Sequence, residues 1–499
     1  MRYIWMGSLM CLLATGWLSC KKMLDIDSTR AVTEENMWKT KNDAWAGSFA
    51  AYGLLRAALA NENAHWAYGD MRGGDFTVTK RGDLQALRSS QLTSNYPAMD
   101  TWRDWRRFYA VIAQCNLALA KLPGIPELDN RYARSEMKLD AAQVRFVRAF
   151  TYFYIVRIWG DVPLITEPFK GDFTANTREG WQKVLDFAQE EALAASKDLP
   201  WQFDGSNPEQ QGNYRGQGIS HWRSILATRG ACYNLIAHIA AWKKDYATAL
   251  KYINTITDNK ARTAYDYVTN NDMIVAPSGT SGSTFRGRTN WNIFQLDFNI
   301  DHAEISTTGQ LEYWTLRYPD VPKAEAEIYV TKDSILNIYS NPSDVRASIF
   351  FKDMTSVQPM FYKLRMLDGA VRNPTLRFFN AAIVIFRYEE MTLLRAECNA
   401  RLKNYAAART ELNTLRNRRY IDAVPEDVTE EELLDLILEE RRRELIGEGW
   451  RWYDLVSFGK VPAFSRLTEA DVQNGAVYWP LSKNSLSLNP QLTQYSYWK

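Results

Sequence analysis

One stretch of this chain occurs twice in altered form, and that duplication limits the architectures open to it. Residues 244–256, KDYATALKYINTI, line up with residues 403–415, KNYAAARTELNTL. Lys, Tyr, two Ala, Asn and Thr coincide. Upstream, Leu235, Ala237 and Ala241 stand at the same offset from Leu394, Ala396 and Ala400. In both copies a helix with small residues runs into a turn, then into a second helix whose alanines allow close approach. A unit of this kind cannot bury its apolar face alone, so it stacks on a neighbour. The repeat predicts a mainly α fold made of helix pairs.

The layout is tetratricopeptide-like, although the strict signature of that repeat is absent. Other stretches agree with it. Apolar residues recur at helical spacing over residues 42–59, 102–119, 140–158, 181–199 and 225–242. Residues 429–460 carry the strongest helix signals. Thr429 and Glu432 form a capping box, with Val428 and Leu433 placed as a hydrophobic staple. Leu434, Ile437, Leu438 and Leu445 mark one face, Glu439 stands four residues before Arg443, and Gly447 ends the run. Trp450, Trp452 and Tyr453 follow directly and read as core. Residues 61–97 and 263–386 lack a sustained period and read as long loop-rich insertions, the second too long to be merely connective. Residues 477–490 read as extended chain laid over the body.

The N-terminus reads as an address. Arg2 precedes an apolar run too short to span a membrane and shaped like a signal peptide. It ends in Leu18, Ser19 and Cys20, similar to a bacterial lipoprotein cleavage box, with Trp17 departing from the usual Leu. Residues 1–19 are then the signal peptide, and Cys20 is the lipidated mature N-terminus that holds the chain to a membrane. A plain secretory signal with an incidental cysteine is the alternative. Residues 20–262 and 263–499 form the two regions expected of the mature chain. Cys115, Cys232 and Cys398 lie in apolar helical patterns and read as buried free thiols. No second apolar run of spanning length is expected.

Charge and motifs narrow the function. Sixty basic residues against 58 acidic ones give no electrostatic pull toward nucleic acid. His65, His221, His238 and His302 fall in no zinc spacing, and there is no P-loop, dinucleotide fingerprint or nucleophile elbow. No pair of carboxylates stands out as a hydrolytic couple, and Glu439, Glu440 and Glu444 read as helix ion-pair partners. No enzyme activity and no cofactor are expected. A structural calcium held by loop Asp or Asn is left open, without EF-hand spacing.

Several separated stretches together resemble one family. They are residues 20–25 (CKKMLD), 145–154 (RFVRAFTYFY), 159–164 (WGDVPL), 386–397 (FRYEEMTLLRAE), 412–418 (LNTLRNR), 440–445 (ERRREL) with 452–455 (WYDL), and 479–481 (WPL) with 489–490 (NP). In this order, across nearly the whole chain, they resemble the SusD/RagB family of outer-membrane nutrient-binding lipoproteins. The resemblance implies helix pairs with loops inserted on one face. It also implies capture of oligosaccharide at the cell surface and its delivery to a SusC-like TonB-dependent outer-membrane transporter, without catalysis. A protein-binding scaffold, or capture of a non-glycan nutrient such as peptide, are the alternatives. Sugar capture needs flat apolar faces plus hydrogen-bonding side chains, and the chain holds 18 Trp, 26 Tyr and 21 Phe. The loop-borne candidates for ligand contact are Trp66, Tyr68, Asp75, Arg81 and Tyr96 in the first insertion, and Trp291, Tyr313 and Trp314 in the second.

Overall fold

The structure, a computed structural model, describes residues 37–171, 175–274, 283–298, 311–365, 367–369, 377–379 and 381–499. The expected signal peptide, residues 1–19, and Cys20 lie outside the described residues. Helix α1 (Lys41–Ala60) starts from a capping box in which the Thr40 hydroxyl accepts from the Asp43 N–H. In the first insertion come α2 (Ala64–Gly69), strand β1 (Thr77–Val78) and α3 (Gly82–Arg88). Next are α4 (Pro97–Arg103), α5 (Arg106–Lys121), α6 (Arg134–Trp159) and α7 (Trp181–Asp198). The first repeat copy forms α8 (Arg229–Trp242) and α9 (Tyr246–Asp258). The second insertion carries β2 (Asn292–Leu296), α10 (Leu311–Thr315), β3 (Ile328–Tyr329) and β4 (Ile383–Arg387). The second copy forms α11 (Tyr388–Arg401) and α12 (Tyr405–Arg418), followed by α13 (Glu430–Leu445) and α14 (Arg451–Phe458).

Successive helices pack as a stack: α1 on α5, α5 on α6, α6 on α7, α7 on α8, α8 on α9, α9 on α11, and α11 on both α12 and α13. The two repeat copies are thus direct neighbours although the second insertion separates them in sequence. They also share one turn. Lys244 and Lys403 occupy the left-handed region, with φ of 66° and 65°. The Asp245 N–H donates to the Ala240 carbonyl (2.9 Å) and the Asn404 N–H to the Asn399 carbonyl (2.8 Å). Ala237, Ala249, Ala396 and Ala408 are all fully buried, which is why the paired helices approach so closely. Cys115, Cys232 and Cys398 are free and buried, and burial raises each thiol's pKa.

Some expectations need correction. The helix expected over residues 102–119 is broken at Asp104, whose extended backbone separates α4 from α5 and whose carboxylate accepts the Arg106 N–H at 3.0 Å. The stretch Pro97–Leu128 is apolar and long enough to pass for a membrane span, contrary to expectation. That break, and the packing of α5 between α1 and α6, make it a core element. The tail does cross the body, with the Trp479 N–H donating to the Ile158 carbonyl at 2.8 Å. It is not wholly extended, because Ser482 caps a short helix, Lys483–Leu488.

Helix α13 follows its sequence signals at the start and departs from them at the end. Thr429 and Glu432 make the capping box. Glu439 does not pair with Arg443; it meets Arg442 at 3.4 Å, while Arg443 meets Glu440 at 3.3 Å. Glu440, Glu444 and Glu448 also serve a cluster assembled from distant chain. Arg346 contacts Glu440 (2.7 Å), Glu444 (2.9 Å) and Asp344 (2.8 Å). Arg387 contacts Glu444 (2.9 Å), Glu448 (2.8 Å) and Glu389 (3.0 Å), and Arg419 contacts Glu444 (3.0 Å). Lys363 meets Glu448 at 2.5 Å and donates to the Glu444 carbonyl at 2.7 Å. All of these side chains are buried. Burial works against the charge of Glu444, but Arg419, Arg387 and Arg346 outweigh it and hold its pKa well below the carboxylate range. Burial raises the pKa of Glu389, against the pull of Arg387 and Arg419.

Candidate ligand-binding face

The two insertions meet at a two-stranded antiparallel ribbon. β1 pairs with β3, Thr77 opposite Tyr329 and Val78 opposite Ile328. Beyond the ribbon, the Thr79 N–H donates to the Glu327 carbonyl (2.9 Å) and the Thr79 hydroxyl to the Ala326 carbonyl (2.7 Å). The Glu327 N–H donates in turn to the Trp314 carbonyl at 2.8 Å, so the ribbon also fixes α10.

Side chains finish the joint. Arg81 donates from Nη1 to Glu327 Oε2 (2.9 Å) and from Nε to Asp83 Oδ1 (3.0 Å), and its guanidinium lies 5.4 Å from the Trp314 ring centroid. Burial works against the Arg81 charge, but Asp83 and Glu327 outweigh it and raise its pKa. Lys323 Nζ sits 3.8 Å from the Tyr313 ring centroid and 3.2 Å from Glu327 Oε1. Burial lowers its pKa, with Glu327 opposing. Lys80 and Glu325 pair at 2.8 Å on the exposed rim. The Tyr96 ring lies against the start of α3, where a Cβ on Gly82 would stand 2.5 Å from the Tyr96 hydroxyl. Tyr96 is 39% exposed and Tyr318 is 64% exposed. In α10, burial lifts the Glu312 carboxyl to a pKa of about 8.

Of the sequence candidates, Arg81, Tyr96, Tyr313 and Trp314 come together at this joint. Trp66, Tyr68 and Asp75 are buried in contacts of their own, and Trp314 is buried within the joint. Trp66 is 1% exposed and its Nε1–H donates to the Gly447 carbonyl at 2.8 Å, so it has no face open to a ligand. Tyr68 is buried and donates to the Trp102 carbonyl at 2.6 Å. Asp75 is buried in an ion pair with Arg442 at 2.6 Å. Trp314 is buried as well and supports Arg81 rather than presenting its own ring. Trp66 and Tyr68 misled because every residue of α2 is buried, which leaves no polar face to mark the segment as a helix. Trp291 is half-buried next to β2, with its carbonyl accepting the Tyr388 N–H at 3.0 Å, and makes no ring contact with the joint among the described residues. Tyr318, Lys323 and Glu327 were missed. The Tyr-Pro step at residues 318–319 was the available signal for an exposed aromatic turn.

The joint offers exposed tyrosine rings beside an arginine, a lysine and carboxylates, which suits a hydroxyl-rich ligand. Among the described residues, no cluster of three His, Cys, Asp or Glu could hold a metal ion. A stack of helix pairs with such a loop-built face is the architecture of SusD-like nutrient-binding proteins. Residues 337–460 match the SusD family, and residues 51–210 match a family described as starch-binding and associating with the outer membrane. The chain is 37% identical to a SusD superfamily protein of Bacteroides thetaiotaomicron, whose crystal structure superposes with a TM-score of 0.83 over 93% of this chain and 100% of that one. It is 26% identical to the SusD-like protein P38 of Formosa agariphila, over 95% of both chains. A laminarin-binding SusD-like protein shares the fold, with 20% identity and a TM-score of 0.68 over 92% of this chain and 99% of that one. The chain belongs to the SusD/RagB family. It is accordingly a non-catalytic outer-membrane nutrient-binding protein that partners a TonB-dependent transporter.

Proposed function

We propose that this protein captures an oligosaccharide on the face around Arg81, Tyr96, Tyr313 and Tyr318 and delivers it to a SusC-like transporter. The observation that carries the reading is the joining of two sequence-remote insertions by the β1–β3 pairing and the Arg81–Glu327 contact. Tyr96 and Tyr318 lie with the sugar's C–H faces against their rings, while Arg81, Glu327 and Lys323 exchange hydrogen bonds with its hydroxyls. The laminarin-binding relative of the same fold supports a glycan over a peptide. Lipid on Cys20 holds the chain at the outer leaflet. A glycan array followed by calorimetry tests this. Arg81→Ala and Tyr318→Ala should each weaken the best glycan by about tenfold, a change of about 1.4 kcal/mol. No glycan binding at all, or full affinity in both variants, would defeat it.

A further inference from the structure

The two repeat copies face a common cavity that the joint does not use. It measures about 30 Å³ and is lined by Arg157 of α6, His238 of α8, Glu397 of α11, Arg441 of α13, and Trp450 and Asp454 at the start of α14. The alignment that pairs Leu235 with Leu394 and Ala237 with Ala396 also pairs His238 with Glu397. Each copy therefore brings one ionisable side chain to the same place, from equivalent positions on α8 and α11.

The two side chains are served differently. His238 Nε2 meets Glu390 Oε2 at 2.9 Å. Glu390 and Asp454 also take the ends of the Arg441 guanidinium, at 3.2 Å and 2.9 Å. Glu397 is 3% exposed, and its Oε1 has no hydrogen-bond partner among the described residues. The same holds for the buried Nε atoms of Arg441 and Arg157. The Arg157 guanidinium lies over rings instead, 4.1 Å from the Tyr453 centroid and 4.3 Å from that of Phe153. Burial raises the Glu397 pKa, with Arg441 and Arg401 opposing, yet neither arginine forms an ion pair with it among the described residues.

A buried donor or acceptor left without a partner is costly, so such atoms are paired with protein or with ordered water. An internal water needs about 10–15 Å³ and two to four polar partners. The cavity has that room and offers an acceptor beside two donors. It is about an order of magnitude below the roughly 300 Å³ at which ligand pockets begin. Carboxylates and guanidiniums both line it, so it selects no ion of either sign.

We infer that an ordered water occupies this cavity as a structural ligand, accepting from the Arg441 Nε–H and donating to Glu397 Oε1. It gives the second repeat copy a hold on α13 that the Glu397 side chain does not make directly. Whether the joint around Arg81 takes a glycan has no bearing on it. A high-resolution crystal structure of the full chain shows a water peak within hydrogen-bond distance of both Glu397 Oε1 and Arg441 Nε. In solution, magnetic relaxation dispersion of solvent water counts the long-lived internal waters. Glu397→Gln keeps an acceptor in the cavity and leaves the count unchanged, whereas Glu397→Leu removes it and lowers the count by at least one. No peak in the wild-type cavity, a peak that touches only one of the two side chains, or an undiminished count in Glu397→Leu overturns the inference. If Glu397→Leu does not fold, crystals of the wild type and Glu397→Gln carry the test: a water retained in both supports it, and its loss from either overturns it.

Discussion

The ionic cluster at the end of α13 and the joint around Arg81 use the same residue types to opposite ends. In the cluster, Arg346, Arg387, Arg419 and Lys363 are sealed with carboxylates in the interior. In the joint, the Arg81 side chain is 33% exposed, and its partners Asp83 and Glu327 are partly exposed as well. A buried pair has no water to replace a lost partner, so each charge is indispensable once the other is there. A surface pair is screened and contributes little to folding, which leaves its hydrogen-bonding capacity open to a ligand. The chain therefore holds its helices together with one set of arginines and can present another.

That contrast can be broken most directly at Arg387. Arg387→Met takes one buried cation from Glu444, Glu448 and Glu389, and urea denaturation should show a loss of about 3–5 kcal/mol or an unfolded chain. Arg81→Met should cost less than about 1 kcal/mol in the same assay. Equal losses in the two variants would remove the distinction. Next in size, Trp66→Phe deletes the donor to the Gly447 carbonyl and should cost about 1–3 kcal/mol while leaving glycan affinity unchanged. A selective loss of binding would return Trp66 to the ligand site. Thr429→Ala removes the cap of α13 and should cost about 1 kcal/mol. A last expected effect is a pH slope. Glu312 has a folded-state pKa of about 8 against an ordinary 4.5, so the folded chain keeps a proton that the unfolded chain releases between those values. The stability this provides is complete below pH 4.5 and is lost as pH rises through 8. Glu312→Gln should flatten the urea midpoint across that window, and an unchanged slope would show that the carboxyl does not titrate there.

Helices were legible wherever one face was apolar and the other polar. The repeat placed α8, α9, α11 and α12, and the capping box placed the start of α13, because these signals are local. The site was less legible for the opposite reason. Trp66 and Tyr68 looked available because aromatic residues beside glycine and charge read as loop, whereas burial of all of α2 is decided by chain far away, at Gly447 and Trp102. Arg81 and Trp314 were both chosen, but nothing local in either segment announced that β1 would pair with β3. The cluster around Glu444 was misread as intrahelical for the same reason, since its arginines arrive from Arg346, Arg387 and Arg419.

The β2–β4 ladder has a consequence for how such a protein can change. Leu296 stands opposite Ile383, so the chain leaves the helical stack and re-enters it at adjacent points. Everything from residue 297 to residue 382 is a detour whose two feet are already fixed side by side. Lengthening a detour of this kind is thermodynamically mild, since each doubling of a flexible loop adds only about 0.6 kcal/mol of closure entropy. Residues 311–329, half of the joint, travel inside it. An exchange of residues 311–329 alone between relatives would rewrite what the surface recognises while Arg346 and Lys363, further along the detour, kept their hold on α13.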